Sequence, residues 1–180
     1  GGFYVDPWAP VERAVITHAH SDHARAGSAH YLCAKQGETV LRTRLGDVSL
    51  QPLEYGEAVR LGAARVSLHP AGHILGSAQV RIEAGGHVTC LSGDYKTAPD
   101  ATAAAFEPVR CHLFVTEATF GLPIYRWRPD QEIFAAINQW WASNAAEGRP
   151  SVLYGYALGK AQRLLSGLEA SIGPILTHGA

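Results

Sequence analysis

Residues Thr17-His18-Ala19-His20-Ser21-Asp22-His23 bring three imidazoles and one carboxylate together within a single short stretch of chain. Imidazole nitrogen and carboxylate oxygen are the donors preferred by zinc and similar divalent cations. If the stretch follows a strand, two-residue alternation points His18 and His20 the same way, and a turn then swings Asp22 and His23 to a neighbouring point. The spacing suits two adjacent metals better than one. Chance produces His-x-His-x-Asp-His in about 0.0007 of random chains of this composition, so a merely solvated polar loop is the weaker reading. Four side chains cannot close two metal sites, and two later segments repeat the same local pattern. Pro70-Ala71-Gly72-His73 and Ser92-Gly93-Asp94 each follow an apolar run and carry a glycine that lets backbones approach closely. The candidate metal ligands are therefore His18, His20, Asp22, His23, His73 and Asp94.

The elements that would position these residues are short strands. Apolar runs of four to six residues at Ala14 to Thr17, His30 to Ala34, Arg65 to Leu68, Ala78 to Ile82, His87 to Leu91 and His112 to Thr116 are separated by Gly, Pro and Asp. The alanine-rich patch at Ala101 to Ala105 lies among prolines and reads as loop. The pattern then changes. Pro129, Asp130 and Glu132 open a helix whose apolar stripe is Ile133, Phe134, Ile137, Trp140 and Trp141, and Gly148 and Pro150 end it. Ser151 to Tyr156 reads as a strand, Ala161, Leu164, Leu165 and Leu168 as one face of a second helix, and Pro174 to Thr177 as another strand. This alternation suggests the start of a parallel α/β unit, with a boundary between residues 121 and 129.

Composition narrows the function classes. A chain of 180 residues with 47% hydrophobic content and a formal net charge of −1 is neither disordered nor generally polyanion-binding. No apolar run approaches the ~18 residues of a membrane span, and no signal-like segment opens the chain, so no membrane partner is expected. Three widely spaced cysteines, Cys33, Cys90 and Cys111, argue against a disulfide framework and for a reducing, cytoplasmic setting. The Gly-Gly start and the absence of Met suggest a piece of a longer protein.

The ordered series His18-x-His20-x-Asp22-His23, Ala71-Gly72-His73, Ser92-Gly93-Asp94 resembles that of the metallo-β-lactamase fold. Ala71 to Ala78, Thr116-Glu117-Ala118-Thr119-Phe120-Gly121 and Gly159-Lys160-Ala161-Gln162-Arg163 resemble its β-CASP nuclease branch. Phe3-Tyr4-Val5-Asp6-Pro7-Trp8 and Phe120 to Trp127 are most similar to bacterial ligase-associated DNA exonucleases. The resemblance covers essentially the whole chain. It implies an α+β, four-layer αββα sandwich over residues 1–122, followed over 123–180 by the beginning of an α/β β-CASP domain. It implies one metal on His18, His20 and His73, a second on Asp22 and His23, and Asp94 bridging them. Asp22, Asp94 and Glu117 would then belong to the catalytic centre, Glu117 steadying a histidine from a later motif outside this chain. Two divalent ions, zinc or alternatively manganese, would hydrolyse DNA phosphodiester bonds from an end in DNA repair, with a DNA ligase as possible partner.

Substrate contacts rest on slighter signals. Tyr125-Arg126-Trp127-Arg128 interleaves aromatic and basic side chains, as a single-strand groove does, although such a segment can equally be a packed connector. Lys160 opens a helix and could hold a DNA phosphate. The Gly155 to Lys160 stretch is not a nucleotide-triphosphate loop, because three residues separate its glycines and Ala161 replaces the magnesium-binding hydroxyl. His30, His69, His87 and His112 lie in or beside strand runs and read as packed or supporting histidines. An RNA-cleaving enzyme with the same centre, or a non-catalytic metal-stabilised nucleic-acid-binding fragment, are the alternatives.

Overall fold

Short apolar runs, several of them buried over consecutive residues, build two sheets that share one core. The computed structural model describes residues 2–178. The chain divides into two compact units, Gly1–Glu117 and Ala118–Ala180.

In the first unit, β1 (Tyr4–Val5), β2 (Arg13–Val15), β3 (His30–Ala34) and β4 (Leu50–Leu53) form a parallel sheet in that order. β5 (Ala58–Leu61), β6 (Ala64–Pro70), β7 (Ala78–Ala84) and β8 (His87–Leu91) follow as an antiparallel meander, and β9 (Leu113–Val115) adds in parallel beside β8. Val15, Leu32, Ala34 and Leu53 from the first sheet meet Leu61, Val66, Leu68, Ala78 and Val80 from the second. Each large member buried this way is worth ~1.5–3 kcal/mol, whereas a surface ion pair such as Lys35–Glu38 is screened by water and adds little. Apolar burial between the sheets, not surface charge, therefore holds the sandwich together. Helix α1 (Glu38–Leu45) packs beside the first sheet through Leu41, its only buried residue. Over the second sheet lies an irregular segment, tied down by Gln79. This fully buried side chain donates from Nε2 to the carbonyls of Pro70 (2.9 Å) and Glu107 (2.6 Å).

The six strands anticipated in this region are all present, with shifted ends at four of them. Four elements carry no clear periodic signal. β1 has two residues, β4 and β5 are edge strands, β4 with Pro52 inside it, and α1 buries too little to show a stripe.

The second unit holds α2 (Asp130–Ala146) and α3 (Lys160–Ser166). The buried side of α2 is centred on Asn138 rather than on the purely apolar stripe expected, and Ile133 and Trp140 are substantially exposed. Asn138 Nδ2 donates to the Gly167 carbonyl (2.9 Å), and its Oδ1 accepts from Glu169 N–H (3.1 Å), so a polar side chain staples the segment after α3 to α2. The strands expected at Ser151 to Tyr156 and Pro174 to Thr177 are not formed. Neither segment has regular secondary structure or a ladder, and Tyr154 and Leu176 are each 92% exposed. An apolar run supplies side chains for a sheet face; without a neighbouring strand its backbone groups have no partner.

Burial pushes the Cys33 thiol up to about 12 and the Cys90 thiol to about 11, whereas Cys111 is partly exposed. Titration with an aromatic disulfide at pH 8 should show Cys111 reacting first, with Cys33 and Cys90 reacting only on unfolding.

Candidate metal centre

Three loops leave the same end of the sandwich, and each delivers one donor three residues beyond its strand. His18 follows β2 ending at Val15, His73 follows β6 ending at Pro70, and Asp94 follows β8 ending at Leu91. Contact between these loops explains the glycines. Gly93 has φ +55°, and a Cβ there would lie 2.7 Å from the Thr17 Cβ; Gly72 has φ +75°, and a Cβ there would run into the Lys96 carbonyl. Backbone hydrogen bonds join the same loops, from Ala78 N to Thr17 O (2.8 Å) and from Lys96 N to Ala71 O (2.9 Å). The Ser77 hydroxyl accepts from the N–H groups of His73 (3.0 Å) and Ile74 (3.2 Å), closing the turn that carries His73.

The result is a convergent donor set. His18 Nε2 lies 3.0 Å from His20 Nδ1, which is 3.3 Å from His73 Nε2. Asp94 Oδ2 is 3.8 Å from His18 Nε2 and 3.7 Å from His73 Nε2. Ligands 2.0–2.1 Å from a tetrahedral zinc are separated by roughly 3.3 Å. Three imidazoles and a carboxylate at these separations fit one divalent ion, with all four donor atoms within 4.8 Å of one another. Burial keeps His18 neutral, lowering its pKa to about 2, with the nearby His23 acting in the same direction; burial also lowers that of His73. Neutral imidazole is the form that binds metal.

Beside this set, His23 Nε2 sits 3.4 Å from Asp94 Oδ1 and 3.7 Å from Asp22 Oδ2. Asp94 thus turns one oxygen toward His18 and His73 and the other toward His23. Its hydrogen bond with His23, opposed by burial, keeps its carboxyl near 2. Burial acts against charge on His23, but hydrogen bonds to Asp6 and Asp94 outweigh it and raise its pKa to about 10. Asp22 is the open member of the group, with its side chain 71% exposed.

Asp6 is the functional side chain that the residue-type search did not single out. Its Oδ1 accepts from Thr17 N–H (2.8 Å) and its Oδ2 from the Thr17 hydroxyl (2.6 Å) and from His23 Nδ1 (2.7 Å). Because the Thr17 hydroxyl gives its proton to Asp6, it accepts from His18 Nδ1 (3.0 Å). One carboxylate therefore places a proton on Nδ1 of both His18 and His23, leaving Nε2 of each facing Asp94. No spacing in the sequence marks Asp6; in the structure its backbone is left-handed, with φ +44°.

Glu117 lies two residues past β9 and is near enough to His73 for its charge to oppose the lowering of the His73 pKa by burial. The other histidines stay apart from the cluster. His30 pairs with Ser49, His69 bridges Ser67 and Glu107, and His87 stacks on His112. His178 is exposed at the end of the described residues. In the second unit, Tyr125, Phe120 and Trp127 pack on one another, Arg126 is exposed, and Lys160 lies 5.1 Å from the Tyr156 ring centre. A concavity of about 320 Å³ lined by β2, the starts of β3 and β4, and β5 lies away from the His–Asp cluster.

Replacing Asp6 with Asn should weaken divalent-metal affinity roughly 10–100-fold, read by competition with a chromogenic chelator, with the fold retained. Gly93→Ala should cost about 1–3 kcal/mol of stability in denaturant unfolding, because it adds both left-handed strain and a clash with Thr17.

No family model matches the chain. A protein of Opitutus terrae named "Probable DNA ligase" is 36% identical over 180 residues, spanning 98% of this chain and 18% of its own length. "Endoribonuclease ysh-1" of Neurospora crassa is 29% identical over 119 residues, 64% of this chain and 14% of its own length. "Cleavage and polyadenylation specificity factor 73" of Drosophila melanogaster is 29% identical over 119 residues, 64% of this chain and 17% of its own length. The chain thus spans less than a fifth of each relative. Among solved structures, CmlA from Streptomyces venezuelae overlaps 45% of this chain and 20% of its own at TM-score 0.36 and 22% identity. In its sequence relatives and its ordered His–Asp series the chain is similar to nucleases of the metallo-β-lactamase fold, β-CASP branch.

Proposed function

We propose that this chain carries the phosphodiester-cleaving centre of a metal-dependent DNA exonuclease acting in repair. The observation that carries the reading is Asp94, with one oxygen toward His18 and His73 and the other toward His23. His18, His20 and His73 would hold one ion, Asp22 and His23 the other, and Asp94 would bridge them. Zinc fits the nitrogen-rich set best, with manganese as the alternative. Two bound ions supply Lewis acidity, an activated water and charge neutralisation at the phosphorus.

The protein's own part is positional. Asp6 sets the tautomers of His18 and His23, Ser77 fixes the turn beneath His73, and exposed Asp22 leaves that side open to a polyanionic strand. Glu117 would stand at the same edge, its charge bearing on His73. Tyr125, Arg126 and Lys160 are the proposed strand contacts in the second unit. The Opitutus terrae relative supports DNA and a partnership with a ligase; reduced, unpaired cysteines suit the cytoplasm. No helix among the described residues is long and apolar enough to cross a membrane.

RNA cleavage is the second reading, favoured by the Neurospora crassa relative named an endoribonuclease, which matches 64% of the chain. End-labelled DNA and RNA, digested with Zn²⁺, Mn²⁺ or Mg²⁺ added separately, test both. DNA shortened one nucleotide at a time is expected, and internal cleavage of RNA alone would replace this reading with the second. His73→Ala and Asp94→Ala should each lower cleavage by roughly three orders of magnitude, since several kcal/mol of transition-state stabilisation go with the ions. Persistence of near-normal cleavage in either variant would remove the centre from the mechanism.

A further inference from the structure

Trp8 is 80% exposed, so its indole adds almost nothing to the core. It is nevertheless held in place. Pro7 and Pro10 restrict the backbone on either side. Two residues before it, Asp6 is anchored to Thr17 and His23 and to the Val15 carbonyl through its own N–H (3.0 Å). The Arg25 guanidinium lies over the Trp8 ring, 4.4 Å from its centre. Arg25 in turn donates from Nε to the carbonyl of Asp22 (3.4 Å), and its own carbonyl accepts from the Tyr31 hydroxyl (2.9 Å). Among the described residues Arg25 makes no ion pair with a carboxylate.

A cation over an exposed ring contributes only a roughly two- to fivefold factor. That is too little to explain why a large aromatic is kept in water on a braced loop beside Asp22 and His23. Stacking of a nucleobase on such a ring is worth roughly 5- to 150-fold in affinity and tolerates any base. The guanidinium on one side and an open indole on the other are the two components of a single-strand contact: a cation for the phosphate and a flat face for the base. Arg25 belongs to the β2–β3 loop that carries His18, His20, Asp22 and His23, and Trp8 to the β1–β2 loop that carries Asp6, the partner of Thr17 and His23, so a base held there would neighbour a phosphate at the centre.

We propose that Trp8 and Arg25 form a nucleobase-stacking subsite that seats a single-stranded nucleic-acid end at the rim of the His–Asp cluster. This rests on the nucleic-acid reading above. The subsite reads stacking rather than base identity, so it accepts all four bases and depends on a nucleotide that is unpaired.

The test is a chemical double-mutant cycle in the metal-loaded protein. Fluorescence anisotropy measures binding of a labelled single-stranded oligonucleotide, with one abasic residue moved stepwise along it, to wild-type protein and to Trp8→Ala, Trp8→Phe and Arg25→Ala. Trp8→Ala should weaken binding of the intact oligonucleotide about tenfold or more, and Trp8→Phe should recover most of the loss. One abasic position should cost the wild type a similar factor and cost Trp8→Ala nothing further. In cleavage assays the change should appear in KM more than in kcat. Wild type that binds and cleaves while Trp8→Ala binds equally well, or an abasic scan with no position whose penalty depends on Trp8, would overturn the subsite alone. Wild type that binds neither DNA nor RNA would overturn the nucleic-acid reading and the subsite together.

Discussion

The Asp6 carboxylate is the contact on which the rest of the site depends. Within one side chain it satisfies a backbone N–H, a hydroxyl and an imidazole N–H, all contributed by the loop that follows β2. Hydrogen bonds to a charged acceptor are roughly twice as strong as neutral ones. Their more important effect is directional. The proton on each Nδ1 is fixed by Asp6, directly for His23 and through Thr17 for His18, so the metal-facing nitrogen of each is not left to choice. The cost is a left-handed backbone at Asp6, sustained because three partners hold it.

Around that contact the sandwich acts as a frame. Apolar burial between the sheets brings the ends of β2, β6 and β8 to one edge, and glycines at 72 and 93 let the emerging loops touch. Gln79 and Ser77 then do for the His73 loop what Asp6 does for the His18 loop, using buried polar atoms with every bond satisfied. Rigid strand ends, with a donor only three residues beyond each and with hydrogen bonds between the loops, hold the donors more closely than free loops could.

The second unit follows different rules. Its two helices meet through Asn138 and Phe134 against Gly167, and much of its aromatic surface faces water. Tyr125 and Trp127 lie parallel, with ring centres 6.4 Å apart, so the segment that reads as a nucleic-acid motif also has a packing role of its own. Composition cannot separate these two uses, since stacking on a base and stacking on a neighbouring ring demand the same side chains.

The residue types already carried the donor chemistry: a His-x-His-x-Asp-His segment and two glycine-preceded donors name a metal set because few other roles require those groups at that spacing. Strands with strong apolar runs, such as β3 and β8, were legible to the residue because burial on one or both faces imposes the pattern. Edge strands and α1 were not, because partners far along the chain rather than local periodicity define them. The proposed strands after α2 failed for the same reason: an extended apolar segment becomes a strand only when a neighbour supplies its ladder. Only the tertiary structure could show that Asp6 governs two histidines, that Asp94 faces both halves of the cluster, and that Trp8 and Arg25 meet. Each of these depends on hydrogen bonds or ring contacts between loops, and sequence spacing carries no information about which loops share an edge.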